Sequence, residues 1–237
     1  MTKRILYDIM KEKNLQVNKM SEKIMKTVIC PKCSEKSDAE IICSVNEKDM
    51  PDMKKSVLSD RFFKWKCPRC SFETQLFHPL LYNDIENGFM IYYIPQTKRR
   101  ILADEKIEKE FADLDIKKRL VSNVSELKEK IALLDGHTDD MAMELAKHAV
   151  ERIVEKTADM TVYEGYFLDM NKAENTVSFQ FFVGAERHPY IQTTRLEVYR
   201  RSLDIVRQYF SETDKQDGFI RIDRDWAKEA FKIYKSK

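Results

Sequence analysis

The sequence predicts an α+β protein in which a small antiparallel N-terminal unit precedes a helix-rich C-terminal domain containing a β-hairpin. Three observations predict this. Two cysteine hooks of identical form, Cys30-Pro31-Lys32-Cys33 and Cys67-Pro68-Arg69-Cys70, stand in the first third of the chain. The apolar residues around them come in short, strand-length runs. Beyond Pro95 the apolar period lengthens to that of helices, interrupted by one alternating stretch at Val177, Phe179 and Phe181. The expected division is an extension over 1–26, the cysteine-bearing unit over 27–96 and the helix-rich domain over 97–237.

The hooks carry the clearest chemistry. A C-x₂-C pair puts two sulfurs on one tight turn, and proline after the first cysteine suits the second position of that turn. Tetrahedral Zn²⁺ takes four thiolates, typically from two such hooks. Cys30, Cys33, Cys67 and Cys70 are therefore the expected zinc ligands, and the unit reads as an antiparallel zinc ribbon. Lys32, Lys36, Lys66 and Arg69 sit beside the hooks and offset the negative charge of a four-thiolate centre. Such a centre is saturated, with no open position for water, so the ribbon itself is expected to be non-hydrolytic. C-x-x-C also supports thiol–disulfide exchange. Two copies on hairpin strands, with no βαβ pattern, favour metal.

Composition narrows the rest. The chain has 237 residues, 43% of them hydrophobic, enough for a real core. Its 42 basic and 40 acidic residues leave a net charge of only +2, which marks no polyanion binder. No apolar run approaches the roughly 18–20 residues of a membrane helix, and no signal-peptide core follows Lys3 and Arg4. Four of five cysteines in metal-type hooks suit a reducing compartment, so the expected location is cytoplasmic. There is no P-loop, G-x-G-x-x-G, G-x-S-x-G or H-E-x-x-H, and the whole chain holds five glycines.

Residues from about Thr27 to Pro95 resemble the CpXC domain, a bacterial and archaeal family named for two such motifs. The two hooks carry the resemblance, with Pro79-Leu80-Leu81-Tyr82 followed by Asp84, and Phe89-Met90-Ile91-Tyr92-Tyr93-Ile94-Pro95. Glu126-Leu127-Lys128-Glu129-Lys130-Ile131, followed by Asp139-Asp140, is similar to the region that often accompanies that domain. The resemblance implies zinc-ribbon-like metal binding and brings no activity with it. Two departures stand out. Ser34 and Ser71 follow the hooks where glycine often supplies a positive φ, and Asn83 stands where the family suggests His.

Taken in order, residues 1–26 place Ile5, Ile9 and Met10 on one helical face, read as a short helix leaning on the domain or a frayed extension. Ser37 to Val45 reads as a strand, with Cys43 a small apolar residue within it. Asn46 to Asp60 reads as a loop with a helix over Met53–Leu58; it makes the spacing between hooks longer than the usual 15–20 or so residues, at little cost in loop closure. Phe62–Lys66 and Phe72–Phe77 form a hairpin around the second hook. After Pro79, Asn87-Gly88 marks a tight turn, and Phe89–Ile94, apolar on both faces, reads as a central strand. The ribbon's aromatics read as a core for a unit with little else to make one, rather than as a base-stacking platform. His78 reads as no ligand, since four cysteines suffice.

Thr97-Lys98-Arg99-Arg100 reads as a solvated linker. Helices are expected over Asp104–Leu120 and Ser125–Leu134, the latter ended by Asp135-Gly136. Thr138 is the expected cap of a helix reaching about Glu155. Thr161–Leu168 and Thr176–Val183 form the hairpin, and His188-Pro189-Tyr190 opens a short extended piece. Arg195–Phe210 reads as a helix whose seam, Leu196, Tyr199, Leu203, Val206 and Phe210, closes on the chain's own core. Phe219–Ile222 reads as a strand, and Arg224–Tyr234 as a helix pinned by Trp226, Ala230 and Phe231.

One constellation suggests catalysis: Asp140, Glu144 and His148, four residues apart on one helical face, with His137 nearby. The plainer reading is a polar solvent face opposite Leu145, Ala149, Val150 and Ile153. The expected function is thus a non-enzymatic, zinc-stabilised binding module with a protein partner. One alternative is nucleic-acid binding through the ribbon's basic and aromatic side, Arg99, Arg100 and the arginines Arg195, Arg200, Arg201 and Arg207. The other is an enzyme with its site in the C-terminal domain, for which a concave pocket with perturbed carboxylates is the sign to look for.

Overall fold

The computed structural model describes residues 23–95, 111, 114–216 and 218–236. The helical face at Ile5, Ile9 and Met10, the basic run 97–100 with Arg99 and Arg100, and most of the helix expected from Asp104 lie outside the described residues.

Each hook sits at the tip of its own two-stranded antiparallel hairpin. β1 (Lys23–Ile29) and β2 (Lys36–Ile42) flank the first, with Ile29 opposite Lys36. The end of the extension expected over 1–26 is thus strand from Lys23; Ile24, Thr27, Val28 and Ile29 are β-branched, and the ladder to β2 satisfies their backbone. The strand expected over Ser37–Val45 is split, because the chain changes sheets at Cys43 and β3 (Ser44–Asn46) begins elsewhere. α1 (Pro51–Leu58) follows, with proline at its first turn where the missing N–H costs nothing. β4 (Lys64–Lys66) and β5 (Glu73–Gln75) flank the second hook, with Lys66 opposite Glu73.

β6 (Leu80–Asp84), β7 (Phe89–Tyr93) and β8 (Lys117–Val121) join β3 in a four-stranded sheet of order β3-β6-β7-β8. β6 and β7 are antiparallel; β3–β6 and β7–β8 are parallel. Their tight turn ends at Gly88, φ +75°, and the Asp84 carboxylate accepts from the Asn87 backbone N–H and side-chain amide. β7 has a neighbour on each side and every residue buried, as its two-sided apolarity requires. β8 corrects the helix expected to Leu120. Its lysines and arginine favour helix locally, but the open edge of β7 and a buried partner for Arg119 decide in favour of a strand.

α2 (Val124–Asp135) is capped by Asn123, whose side chain accepts from the Glu126 N–H. α3 (Asp140–Ala158) is capped by Asp139, which accepts from the Ala142 N–H, not by the expected Thr138. One face of the sheet, with Val45, Leu80, Tyr82, Phe89, Ile91 and Val121, packs on Leu127, Ile131 and Leu134 of α2. Phe63, from beside the second hook, plugs the same core.

The expected hairpin is present as β9 (Val162–Asn171) and β10 (Thr176–Val183), and the extended piece after it is a full third strand, β11 (His188–Arg195), in the order β11-β10-β9. Val177, Phe179 and Phe181 are wholly buried against Ala146, Val150 and Val154 of α3. α4 (Glu197–Tyr209) closes its seam inside the chain, and Arg195 ends β11 rather than starting this helix. The strand expected over Phe219–Ile222 is a single bridge from Ile220 to Arg119. α5 (Arg224–Lys235) is held by Ala227 and Ala230, with Trp226 partly buried beside Phe210. α3 is thereby covered on several sides, by α2, the β9–β11 sheet, α4 and α5. Among the described residues no helix is long and apolar enough to cross a membrane.

Candidate functional site

The two hooks fold as copies of one another. Cys30 N–H donates to Glu35 O and Ser34 N–H to Cys30 O, both at 2.9 Å. In the second hook Cys67 N–H donates to Phe72 O at 2.9 Å and Ser71 N–H to Cys67 O at 3.0 Å. Both serines take the left-handed conformation that glycine often provides, with φ of 60° at Ser34 and 57° at Ser71. The four sulfurs of Cys30, Cys33, Cys67 and Cys70 all lie within 4.8 Å of one another. Across the hooks Cys30 Sγ is 3.7 Å from Cys70 Sγ, and Cys33 Sγ is 3.6 Å from Cys67 Sγ. A disulfide needs about 2.05 Å. Four sulfurs at about 2.3 Å from a central zinc lie roughly 3.8 Å apart along each edge of the tetrahedron. The donor set and its spacing therefore fit a four-coordinate metal ion.

The thiols titrate unevenly. Burial raises Cys30, but the Cys33 and Lys32 backbone N–H groups outweigh it and bring the thiol down to about 7. The Glu35 backbone N–H favours the Cys33 thiolate, yet burial and the neighbouring sulfurs push that thiol up to about 12. Four converging thiols cannot all ionise without a cation among them. Of the basic residues expected to offset that charge, Arg69 pairs with Glu35 at 3.1 Å and Lys66 with Glu73 at 3.5 Å. His78 stands outside the sulfur group, its Nδ1 3.0 Å from Pro79 O and its ring against Phe62 and Phe63. Cys43 is likewise outside the group and partly buried. Phe63 meets Phe62, Phe77 and Tyr93 edge-on or tilted, so these aromatics chiefly pack on each other, although Phe77 is half exposed.

Asp140, Glu144 and His148 do share a face of α3, but it is no solvent face. They are 0%, 3% and 7% exposed, whereas Ile153, expected on the buried side, is 56% exposed. The correction has a tertiary cause: α2 and β8 bring buried partners of opposite charge. Asp140 accepts from Arg119 Nε at 2.7 Å and Nη2 at 2.8 Å, and from Lys130 Nζ at 2.9 Å. Arg119 also reaches Asp214 at 2.7 Å. Glu144 lies 3.0 Å from Lys147 Nζ, which donates to both oxygens of Glu129 at 2.9 and 3.0 Å. His148 packs edge-on against Phe231, with Glu151 at 3.8 Å, so the three do not converge on one point. Burial alone would raise Asp140, but Arg119 and Lys130 hold it well below the usual carboxylate range. Burial, with Glu129 beside it, pushes Glu144 up to about 7 against the pull of Lys147 and Lys130. Sequence reasoning found the carboxylates and missed Arg119, Glu129, Lys130 and Lys147. Arg119, Glu129 and Lys130 stand in charged runs that carry no local sign of burial; only Lys147 sits among mostly apolar neighbours. His137, at the α2–α3 connection, has φ +49° and serves the turn.

No curated protein and no solved structure gives a significant match to the chain. A family model, that of the CpXC protein, matches residues 28–147. The matched stretch takes in both hooks, the four-stranded sheet, α2 and the first two turns of α3, and it ends at Lys147. With both motifs in place and just over half its length matched, the chain belongs to the CpXC family.

Proposed function

We propose that this protein is a non-enzymatic binding module built on a zinc ribbon, with Zn²⁺ held by Cys30, Cys33, Cys67 and Cys70, and with another protein as its partner. The convergence of four sulfurs from two duplicated turns carries the reading. Four thiolates complete the tetrahedron of a structural zinc and leave no position for substrate or water. The hairpins need such a centre. β1 is exposed at nearly every residue, β4 and β5 are three residues each, and two-stranded hairpins are marginal alone. Metal affinity would thus be folding energy for this region.

A protein partner is supported by apolar side chains on the ribbon's surface: Ile24, Met25, Ile29 and Phe77 are 41%, 66%, 59% and 52% exposed. Nucleic acid is the weaker reading, because Arg69 and Lys66 already face carboxylates. The enzyme reading is weaker too: a cavity does lie beside the raised Glu144 carboxyl, but of the three residues expected for catalysis only Glu144 lines it. The reduced thiols suit a cytoplasmic location. The test couples metal content to binding. Zinc-replete protein is titrated with duplex DNA and with RNA at low and high salt. The module reading expects no salt-sensitive binding, and affinity falling steeply with salt overturns it in favour of nucleic acid. Hydrogen exchange before and after chelation should show loss of protection confined to the ribbon; unchanged exchange overturns the structural zinc.

A further inference from the structure

Between α2, α3, β9 and the start of α5 lies a cavity of about 520 Å³, remote from the hooks in sequence and sharing no residue with them. Small-molecule sites span about 300–1,000 Å³. The floor carries Glu126, Glu129 and Lys130 from α2 with Glu144 and Lys147 from α3, and the rim carries Arg221, Arg224 and Lys228 together with Glu164, Asp223 and Asp225. What such a cavity accepts depends on which of these charges are already spent.

On the floor each cation already faces carboxylates. Lys147 faces both Glu129 oxygens and Glu144, three acceptors for three protons, and Lys130 donates to Asp140. Two carboxylates keep an open valence. Glu144 meets Lys147 through Oε2, and Glu126 accepts from the Ser122 N–H and hydroxyl through Oε2. The second oxygen of each has no hydrogen-bond partner among the described residues. On the rim two of the carboxylates are engaged, Asp223 by Arg221 and Glu164 by Arg187 and the Tyr166 hydroxyl. Arg221 uses Nε on Asp223 and Nη2 on the Ser122 hydroxyl, which leaves Nη1. Lys228 has only a 3.5 Å contact to the exposed Asp225. The open valences are therefore acidic at Glu144 and Glu126 and cationic at Arg221 and Lys228, with the exposed Asp225 beside Lys228.

We propose that this cavity binds a small zwitterion carrying an ammonium group and a carboxylate, as a free amino acid or a short peptide does. The ammonium sits against Glu144 and Glu126, and the carboxylate against Arg221 and Lys228. The site is independent of the zinc reading, and either stands without the other. Glu144 gives the binding a signature. It stands near 7, faced by Lys147 on its own helix and by Glu129 and Lys130 from α2, while Tyr166 from β9 and Arg224 from α5 line the same cavity. An ammonium arriving beside it favours the ionised carboxylate, so a zwitterion bound this way releases a proton near neutral pH. A simple anion at the same place would draw a proton in.

The test is isothermal titration calorimetry of the full chain with each of the twenty free L-amino acids and with glycylglycine, in buffers of different ionisation heat. At least one probe should bind, with proton release and with affinity rising between about pH 6 and pH 8. Its N-acetylated and its amidated forms should each bind at least about tenfold more weakly. Glu144→Gln should abolish the proton release. Lys228→Met, on the exposed rim where folding is not at stake, should weaken binding about tenfold. Binding by amino acids alone, by the peptide alone, or by both identifies the source of the ligand. No binding by any probe at millimolar concentration, proton uptake instead of release, or equal affinity for the acetylated form overturns the proposal.

Discussion

Ser34 and Ser71 hold φ near 60° directly after their hooks, the two positions where the sequence departs from glycine. A left-handed conformation costs an L-residue about 1–2 kcal/mol, and the turn's own hydrogen bonds hold it here. The double change Ser34→Gly with Ser71→Gly should therefore keep metal affinity at least at the parent level in competition with a chromophoric chelator. Weaker binding contradicts the duplicated-turn geometry. Asp140 poses a larger stake. Asp140→Ala leaves Arg119, 1% exposed, and Lys130, 2% exposed, without their common partner. Breaking a buried pair costs about 3–5 kcal/mol, and urea unfolding should show a loss of that order. A loss under about 1 kcal/mol would mean the pair is of the weak, surface type. Glu144 predicts a pH effect of known sign. Its folded value of about 7 stands above the ordinary 4.5, so the proton favours the fold. The stability it contributes is complete below about 4.5 and is lost as pH rises through 7. Glu144→Gln should gain on the parent between pH 5 and pH 8 in urea midpoint, and a pH-independent difference contradicts the assignment. At this scale the sequence showed the Asp140–Glu144–His148 stripe by its spacing, but not its surroundings. Burial of a charged face depends on Arg119, Glu129 and Lys130, which only the tertiary fold brings near.

Elements were legible where period and punctuation agreed. Asp135-Gly136 announces the end of α2, Asn87-Gly88 the turn before β7, and Val177, Phe179 and Phe181 the inner face of β10. β8 was not legible, because Lys117-Lys118-Arg119 reads as helix until the edge of β7 needs a parallel partner. β11 was hidden by Pro189, which is compatible with an edge strand but weakens any strand pattern. Gly165, opposite Phe181 across β9 and β10, is an element-scale requirement. A Cβ there would lie 2.6 Å from the Phe181 ring, itself wholly buried against α3. Gly165→Ala should cost about 1–3 kcal/mol by thermal or urea unfolding, the usual range for overpacking. A neutral outcome would show that the Phe181 ring has room to move.

For the whole molecule, the long-range fact that the sequence carried was that two hooks far apart must meet. Their chemistry demanded it, since four thiolates suit one tetrahedral ion and no shorter route satisfies them. The sheet's continuation through β8 and the core shared by Phe63 and α2 had no comparable marker. Metal analysis of freshly purified protein, beside the Cys67→Ser variant, tests the central claim most directly. One zinc per chain is expected, lost in the variant together with the folding of the two hairpins. Metal-free protein of full stability, or a variant that keeps its metal, would contradict it.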